Sequence, residues 1–144
     1  EKTMYTLNYK TMLVSKVMME LDRIPVVQET TIFKLALEEM GNKRLGIACV
    51  VNDKGNLSGI ITDGDIRRKL LQVQKPFAAI LVDDAIVHAI SSPTTTKPHD
   101  SLMHAIRIME SQKVWDLPVV DDTGRLLGLL HLHPAIKMIL EAEQ

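Results

Sequence analysis

The feature that most constrains this chain is its repetition. The segment Cys49-Val-Val-Asn-Asp-Lys-Gly-Asn-Leu-Ser-Gly-Ile-Ile returns as Pro118-Val-Val-Asp-Asp-Thr-Gly-Arg-Leu-Leu-Gly-Leu-Leu. Gly55 and Gly124 lie 69 positions apart, and the same offset links Ala36 to Ala105, Met40 to Met109, Leu57 to Leu126 and Gly59 to Gly128. A constant offset across a helix and a hairpin implies two copies of one supersecondary unit.

Within each copy the pattern reads β-α-β-β-α. An extended stretch comes first, Ile24–Val27 or Thr94–Lys97. A helix follows, about Thr31–Met40 or Ser101–Ser111, with Thr30 or Thr31 and then Asp100 as cap candidates. Ile32, Leu35, Ala36 and Met40 recur at helical spacing, as do Leu102, Ala105, Ile106 and Met109. Each hairpin turns on Asn52-Asp53-Lys54-Gly55 or Asp121-Asp122-Thr123-Gly124, residues that tolerate left-handed backbone. The closing helix starts near Asp63-Gly64-Asp65 in copy one. In copy two it runs from about Pro134 to Leu140, with the proline suited to a first helical turn.

Pro76–Ala85 links the copies. Leu81, Ile86, Val87 and Ile90 read as a short helix opening the second, and residues 10–19 as its counterpart. The repeats are expected at 10–72 and 80–141. One copy alone would leave its sheet half covered, so the expectation is an α/β fold with two βαββα repeats packed by pseudo-two-fold symmetry, clefts lying where they meet.

This order, with Gly-Ile-Ile-Thr-Asp-Gly-Asp at 59–65, resembles a cystathionine-β-synthase (CBS) domain, and two in tandem resemble a Bateman module. Ile-Thr-Asp-Gly-Asp-Ile-Arg-Arg at 61–68 and Gly-Leu-Leu-His-Leu-His at 128–133 look like the C-terminal CBS pair of arabinose-5-phosphate isomerases. Those enzymes serve the pathway to Kdo, an acidic sugar of lipopolysaccharide. CBS pairs of sugar nucleotidyltransferases carry a similar Thr-Asp-Gly-Asp-Ile-Arg-Arg segment, which leaves the parent enzyme open. Catalysis in the isomerases belongs to a preceding domain that these 144 residues do not contain. The first residue is Glu1, not Met, and the expectation is a piece of a longer chain.

The resemblance implies that Thr62 contacts phosphate and Asp65 binds ribose hydroxyls. The chemistry is sound: a carboxylate accepts two hydroxyl bonds at once, and a helix start favours an anion. Arg67 and Arg68 follow with planar donor forks. The competing reading makes Thr62 and Asp65 helix caps, with the arginines in a solvated ion-pair network. In copy two the offset puts His131 in the place of Thr62 and Pro134 in the place of Asp65. Proline offers no side-chain acceptor, so one nucleotide site is expected, not two. His131 and His133 alternate as on one face of a strand, and are read as contacts to an anionic ligand. Two histidines without a cysteine or neighbouring carboxylate make no metal site, and no metal is expected.

Other features are read conservatively. Cys49 is a buried thiol, the methionines are core or dimer surface, Trp115 packs at a strand start or else stacks on a base, and His88, His99 and His104 lie on the surface. With 17 basic against 18 acidic residues and 3% aromatics, nothing draws the chain to nucleic acid. No apolar run is long enough for a membrane span. No nucleophile–base pair or phosphate-loop motif emerges, so no catalytic residue is assigned. The expected function is a cytoplasmic regulatory module that senses a nucleotide or nucleotide-sugar (AMP, ATP or a CMP-sugar) in the inter-repeat cleft for an attached sugar-isomerase domain, without a cofactor and as a homo-oligomer. The alternative is an oligomerisation module that binds nothing.

Overall fold

A computed structural model describes residues 11–72 and 75–142. It is a mixed α/β structure with seven strands and five α-helices among those residues. The strands are β1 (Met19–Glu20), β2 (Val26–Gln28), β3 (Ile47–Val51), β4 (Leu57–Thr62), β5 (Ile90–Ser91), β6 (Asp116–Val120) and β7 (Leu126–His131). The helices are α1 (Phe33–Lys43), α2 (Asp63–Gln72), α3 (Phe77–Leu81), α4 (Leu102–Gln112) and α5 (Leu132–Ala142). Single 3-10 turns occupy Val14–Lys16, Leu21–Arg23 and Ala85–His88.

The chain divides into two compact units. One holds residues 21–93 and 124–126, and the other the described residues up to Glu20, then 94–123 and from 127 on. In the first, β2 runs parallel to β3, β3 is antiparallel to β4, and β4 is antiparallel to β5, giving the order β2-β3-β4-β5. In the second, the order is β1-β7-β6. Thr96 adds a parallel bridge to Val119 there.

The repetition persists at the level of register. Val27 stands opposite Val50, and Thr96, 69 positions on, stands opposite Val119. The short strands that flank the hairpins follow a different rule. β1, which precedes copy one, pairs with β7 of copy two (Met19 opposite Leu129), and β5, which precedes copy two, pairs with β4 of copy one (Ile90 opposite Ile60). Each leading segment thus completes the other copy's sheet. The leading segments are offset by 71 residues instead of 69, and the turn at Leu21–Arg23 absorbs the difference.

The two cores coincide position by position. Around β3 the buried cluster includes Phe33, Ala36, Met40, Ala48, Val50 and Ile61. The cluster around β6 includes Leu102, Ala105, Met109, Leu117, Val119 and Leu130. Phe33 and Ala48 in one correspond to Leu102 and Leu117 in the other, a trade that keeps large and small in balance. Both turn glycines take left-handed backbone, Gly55 at φ 83° and Gly124 at φ 90°, as the turn reading requires. Asn52 Oδ1 accepts from the Lys54 and Asn56 amides, and Asp121 Oδ1 from Thr123.

Several local expectations are corrected. Helix α1 begins at Phe33, two residues late, and its cap residue Ile32 offers no side-chain bond. Thr31 instead accepts from the Gln28 amide in the preceding turn. Its buried stripe is Phe33, Ala36 and Met40, while Leu35 is exposed. Helix α4 is capped by Ser101, which accepts from the His104 amide, and not by Asp100, which serves Thr96 and Lys97. The run containing Leu81, Ile86, Val87 and Ile90 is no single helix but α3, a 3-10 turn and β5. Residues 11–19 form no continuous helix: Leu13 makes an antiparallel bridge to Ser101, a short turn follows at Val14–Lys16, and β1 begins at Met19, while Lys10 lies outside the described residues. Cys49 is buried, as expected.

Candidate functional site

Copy one carries its candidate site where β4 ends and α2 begins. Alternation along β4 buries Gly59 and Ile61 and leaves Thr62 half-buried at the last strand position. The chain turns at once into α2, whose first turn holds Asp63 and Asp65. The Thr62 hydroxyl accepts from the Asp65 amide at 3.2 Å and donates to Asp65 Oδ2 at 2.6 Å. This is a reciprocal cap, and the carboxylates of the first turn face the positive end of the helix dipole. Arg68, one turn further on, pairs with Asp65 Oδ1. Arg67 lies exposed beside it.

Three of the four copy-one residues singled out in the sequence therefore meet in one network, and the capping role is real. Capping does not exhaust the carboxylate. Two oxygens carry about four acceptor sites, of which Thr62 and Arg68 fill one each. The Asp65 side chain keeps 13% exposure. Backbone brings the start of β3 close by, since the Asp63 amide donates to the Gly46 carbonyl at 3.0 Å. A Cβ at Gly46 would stand 2.7 Å from the Asp63 carboxylate, so a larger residue there requires that exposed side chain to turn aside. An open hollow of about 520 Å³ lies here, lined among others by Leu37, Met40, Arg44, Gly46, Asp63 and Ile66.

Copy two keeps the backbone and changes the chemistry. The Leu132 amide donates to the Trp115 carbonyl at 2.8 Å, the same contact 69 positions on. His131, in the place of Thr62, closes β7 and bonds through Nδ1 to Asp116 Oδ1 at 2.7 Å. His131 and His133 do not share a strand face: β7 ends at His131, and His133 is an exposed residue in the first turn of α5. Trp115 does not pack, with 70% of its surface exposed. His99 and His104 are exposed as expected, but His88 is buried at 6% exposure.

Asp116 is the residue that sequence reasoning missed. Its signal lay in the hairpin: Ile47 stands opposite Thr62 in copy one, so the offset puts Asp116 opposite His131. Burial lifts the Asp116 carboxyl above its ordinary value, and the bond from His131 opposes that lift. A carboxyl raised by folding adds stability that is complete below the unfolded value and is lost as pH rises through the folded one. Asp116→Asn keeps an oxygen for the imidazole and removes the buried charge. Melting curves from pH 4 to 8 are expected to show a flatter pH dependence and equal or higher stability at neutral pH. A clear loss at pH 7 in this variant would mean that the charge, not its oxygen, serves His131.

No group of three His, Cys, Asp or Glu side chains among the described residues is placed to hold a metal. No helix among them is long and apolar enough to cross a membrane.

Two βαββα repeats, each with a strand–helix junction that can present polar groups, define a tandem CBS pair. A family model of the CBS domain matches residues 14–72 and again 82–133, and the chain belongs to that family. It is similar to an uncharacterized protein of Helicobacter pylori (strain J99), 36% identical over 129 residues, covering 88% of this chain and 37% of that one. It is also similar to the arabinose 5-phosphate isomerase KdsD of Pseudomonas aeruginosa, 34% identical over 118 residues, covering 79% and 34%. The chain thus spans about a third of the length of these curated relatives. Among solved structures it is similar to CBSX2 in complex with AMP, with a TM-score of 0.80, 25% identity and coverage of 92% and 99%.

Proposed function

We propose that this chain is a regulatory module that binds a nucleotide or nucleotide-sugar at the start of α2 and reports its presence to an attached sugar-phosphate isomerase domain. The observation that carries this reading is the Asp65 carboxylate, fixed by Thr62 and Arg68 at a helix start with acceptor sites to spare. Asp65 takes the ribose hydroxyls. Thr62, the backbone amides of α2 and the guanidinium groups of Arg67 and Arg68 take phosphate. In copy two, His131 and His133 are left as anion contacts without a ribose anchor. The KdsD relative and the AMP complex of CBSX2 support the class of parent and of ligand. A downstream CMP-sugar such as CMP-Kdo fits a feedback role in lipopolysaccharide synthesis, in the cytoplasm.

The test is calorimetric titration with AMP, ATP, CMP and CMP-Kdo. Hydrogen bonds to a charged group are worth about 1.5–3 kcal/mol, so Asp65→Ala is expected to weaken binding roughly 10- to 150-fold. Heat from none of the four ligands, or equal affinity in the variant, would remove this reading. A second reading has its own observation: Leu71, Val82 and Val87 are 82%, 67% and 59% exposed, apolar side chains that a homo-oligomer would cover. Sedimentation that shows an oligomer indifferent to ligand and to Asp65→Ala would favour pure assembly.

A further inference from the structure

Helix α2 is loosely held. None of its residues is buried, and Ile66 is its partly buried contact with the core cluster. At its far end Lys69 reaches the segment 83–88, with Nζ 3.2 Å from His88 Nδ1 and 3.4 Å from the Val87 carbonyl. His88 is buried, its ring centroid 4.8 Å from that of Phe33 on α1. Its Nε2 is 2.8 Å from Asp83 Oδ2, and Lys75 closes on both oxygens of the same carboxylate. The chain Lys69–His88–Asp83–Lys75 therefore ties α2 to the turn that follows α3.

One arrangement of protons satisfies every contact. An ammonium group has only donors, so Nδ1 must accept from Lys69, and a carboxylate has only acceptors, so Nε2–H must donate to Asp83. The imidazole is then neutral with its proton on Nε2. The opposite tautomer sets Nδ1–H against the ammonium and the Nε2 lone pair against the carboxylate. The doubly protonated ring keeps Asp83 but turns Nδ1–H toward Lys69, two cations at hydrogen-bond distance. The other charges nearby leave this balance intact. Asp84 is exposed at the start of the turn, and the Glu29 carboxylate on the β2 side is taken by the Ser58 hydroxyl. The bond from Lys75, and then that from His88, hold the Asp83 carboxyl below the ordinary carboxylate range, against the desolvation that raises it.

We propose that the Lys69–His88 contact is a proton-operated latch, closed on α2 when His88 is neutral and released when it is protonated. The contact supports α2 while the His88 ring is neutral, and that support is lost when Nδ1 takes a proton and faces the Lys69 ammonium. Because Thr62, Asp65 and Arg68 sit at the other end of the same helix, release loosens the mount of the candidate site. The latch itself needs no ligand and stands whether or not that site binds one.

The test uses the 144-residue chain and two readouts. Imidazole nitrogen spectra at pH 7.5 are expected to show His88 protonated on Nε2 alone. Amide exchange, corrected for intrinsic rates, is expected to show α2 protection falling about tenfold from pH 7.5 to 5.5, which converts to about 1.4 kcal/mol, while β3 amides hold. Lys69→Met replaces a half-exposed side chain and leaves the core untouched. It is expected to show the low-pH protection of α2 already at pH 7.5, with no further pH response. An Nδ1–H tautomer, α2 protection equal at both pH values, or a Lys69→Met variant with the wild-type pH response would overturn the latch.

Discussion

Leu130→Ala is expected to remove about 2–5 kcal/mol of stability, the range for deleting a buried leucine side chain. Leu130 is fully buried on β7, in the cluster formed with Leu102, Ala105, Met109, Leu117 and Val119. The helix and strand around it are fixed by their own pairings, so the space it leaves closes only in part. Ile61 occupies the same place in copy one and is also fully buried. Ile61→Ala is expected to cost a similar amount. A domain holds only about 5–15 kcal/mol in all, so each variant sits near the edge of folding. Urea denaturation gives the free energy, and a scan should show the melting temperature lowered by roughly 5–15 °C. A loss under about 1 kcal/mol in either variant would mean that its cluster repacks freely and is not a close-packed core.

The second large effect belongs to a glycine. At Gly128 on β7 an added Cβ would run into the carbonyl oxygen of Met19 on β1. The obstacle is backbone, so no side-chain rotation relieves it. Gly128→Val is expected to force β1 off β7 and to cost about 3 kcal/mol, the upper end for overpacking. Gly59 is its counterpart on β4, where the Cβ would stand 2.8 Å from the Ile90 carbonyl on β5. Amide exchange at Met19 and Glu20 separates local detachment from general weakening. In Gly128→Val these amides should lose protection first, ahead of those of β6. If β1 amides keep wild-type protection in a stable variant, β1 is not seated against Gly128 as described.

These residues also mark how far the sequence could be read. The hairpins were legible because their signals are local: two turn sequences, each with glycine where backbone must be left-handed, between short apolar runs. The helices were legible as elements but less so in phase. A 3.6-residue period fitted Leu35 as well as Phe33, and only the packed core selected Phe33. The cap at Ser101 lost to Asp100 in the reading because both are good cap residues. What separated them was the competing demand of Thr96 and Lys97 on the aspartate.

The candidate site was legible in copy one, where a strand end, a threonine and an aspartate fall within four residues. Thr62, Asp65 and Arg68 meet because one turn of α2 brings them together. In copy two it was half legible. His131 stood out, but its partner Asp116 is 15 residues away in sequence, and the two meet only across adjacent strands. His88 was misjudged for the same reason, since Phe33, Lys69 and Asp83 close on it from three separate parts of the chain.

The sequence by itself determined the repeat, the α/β class, the two hairpins and the chemistry available at the start of α2. All of these follow from residues close together in the chain, where propensity, turn geometry and periodicity act directly. The tertiary structure decided which strand completes which sheet, and which charges neutralise which. β1 joins β7 and β5 joins β4, so each copy's leading segment serves the other copy's sheet. A two-residue strand carries almost no pattern of its own. Its partner is set by the backbone hydrogen bonds and the bare glycine that the folded hairpin offers, and these exist only once distant segments have met.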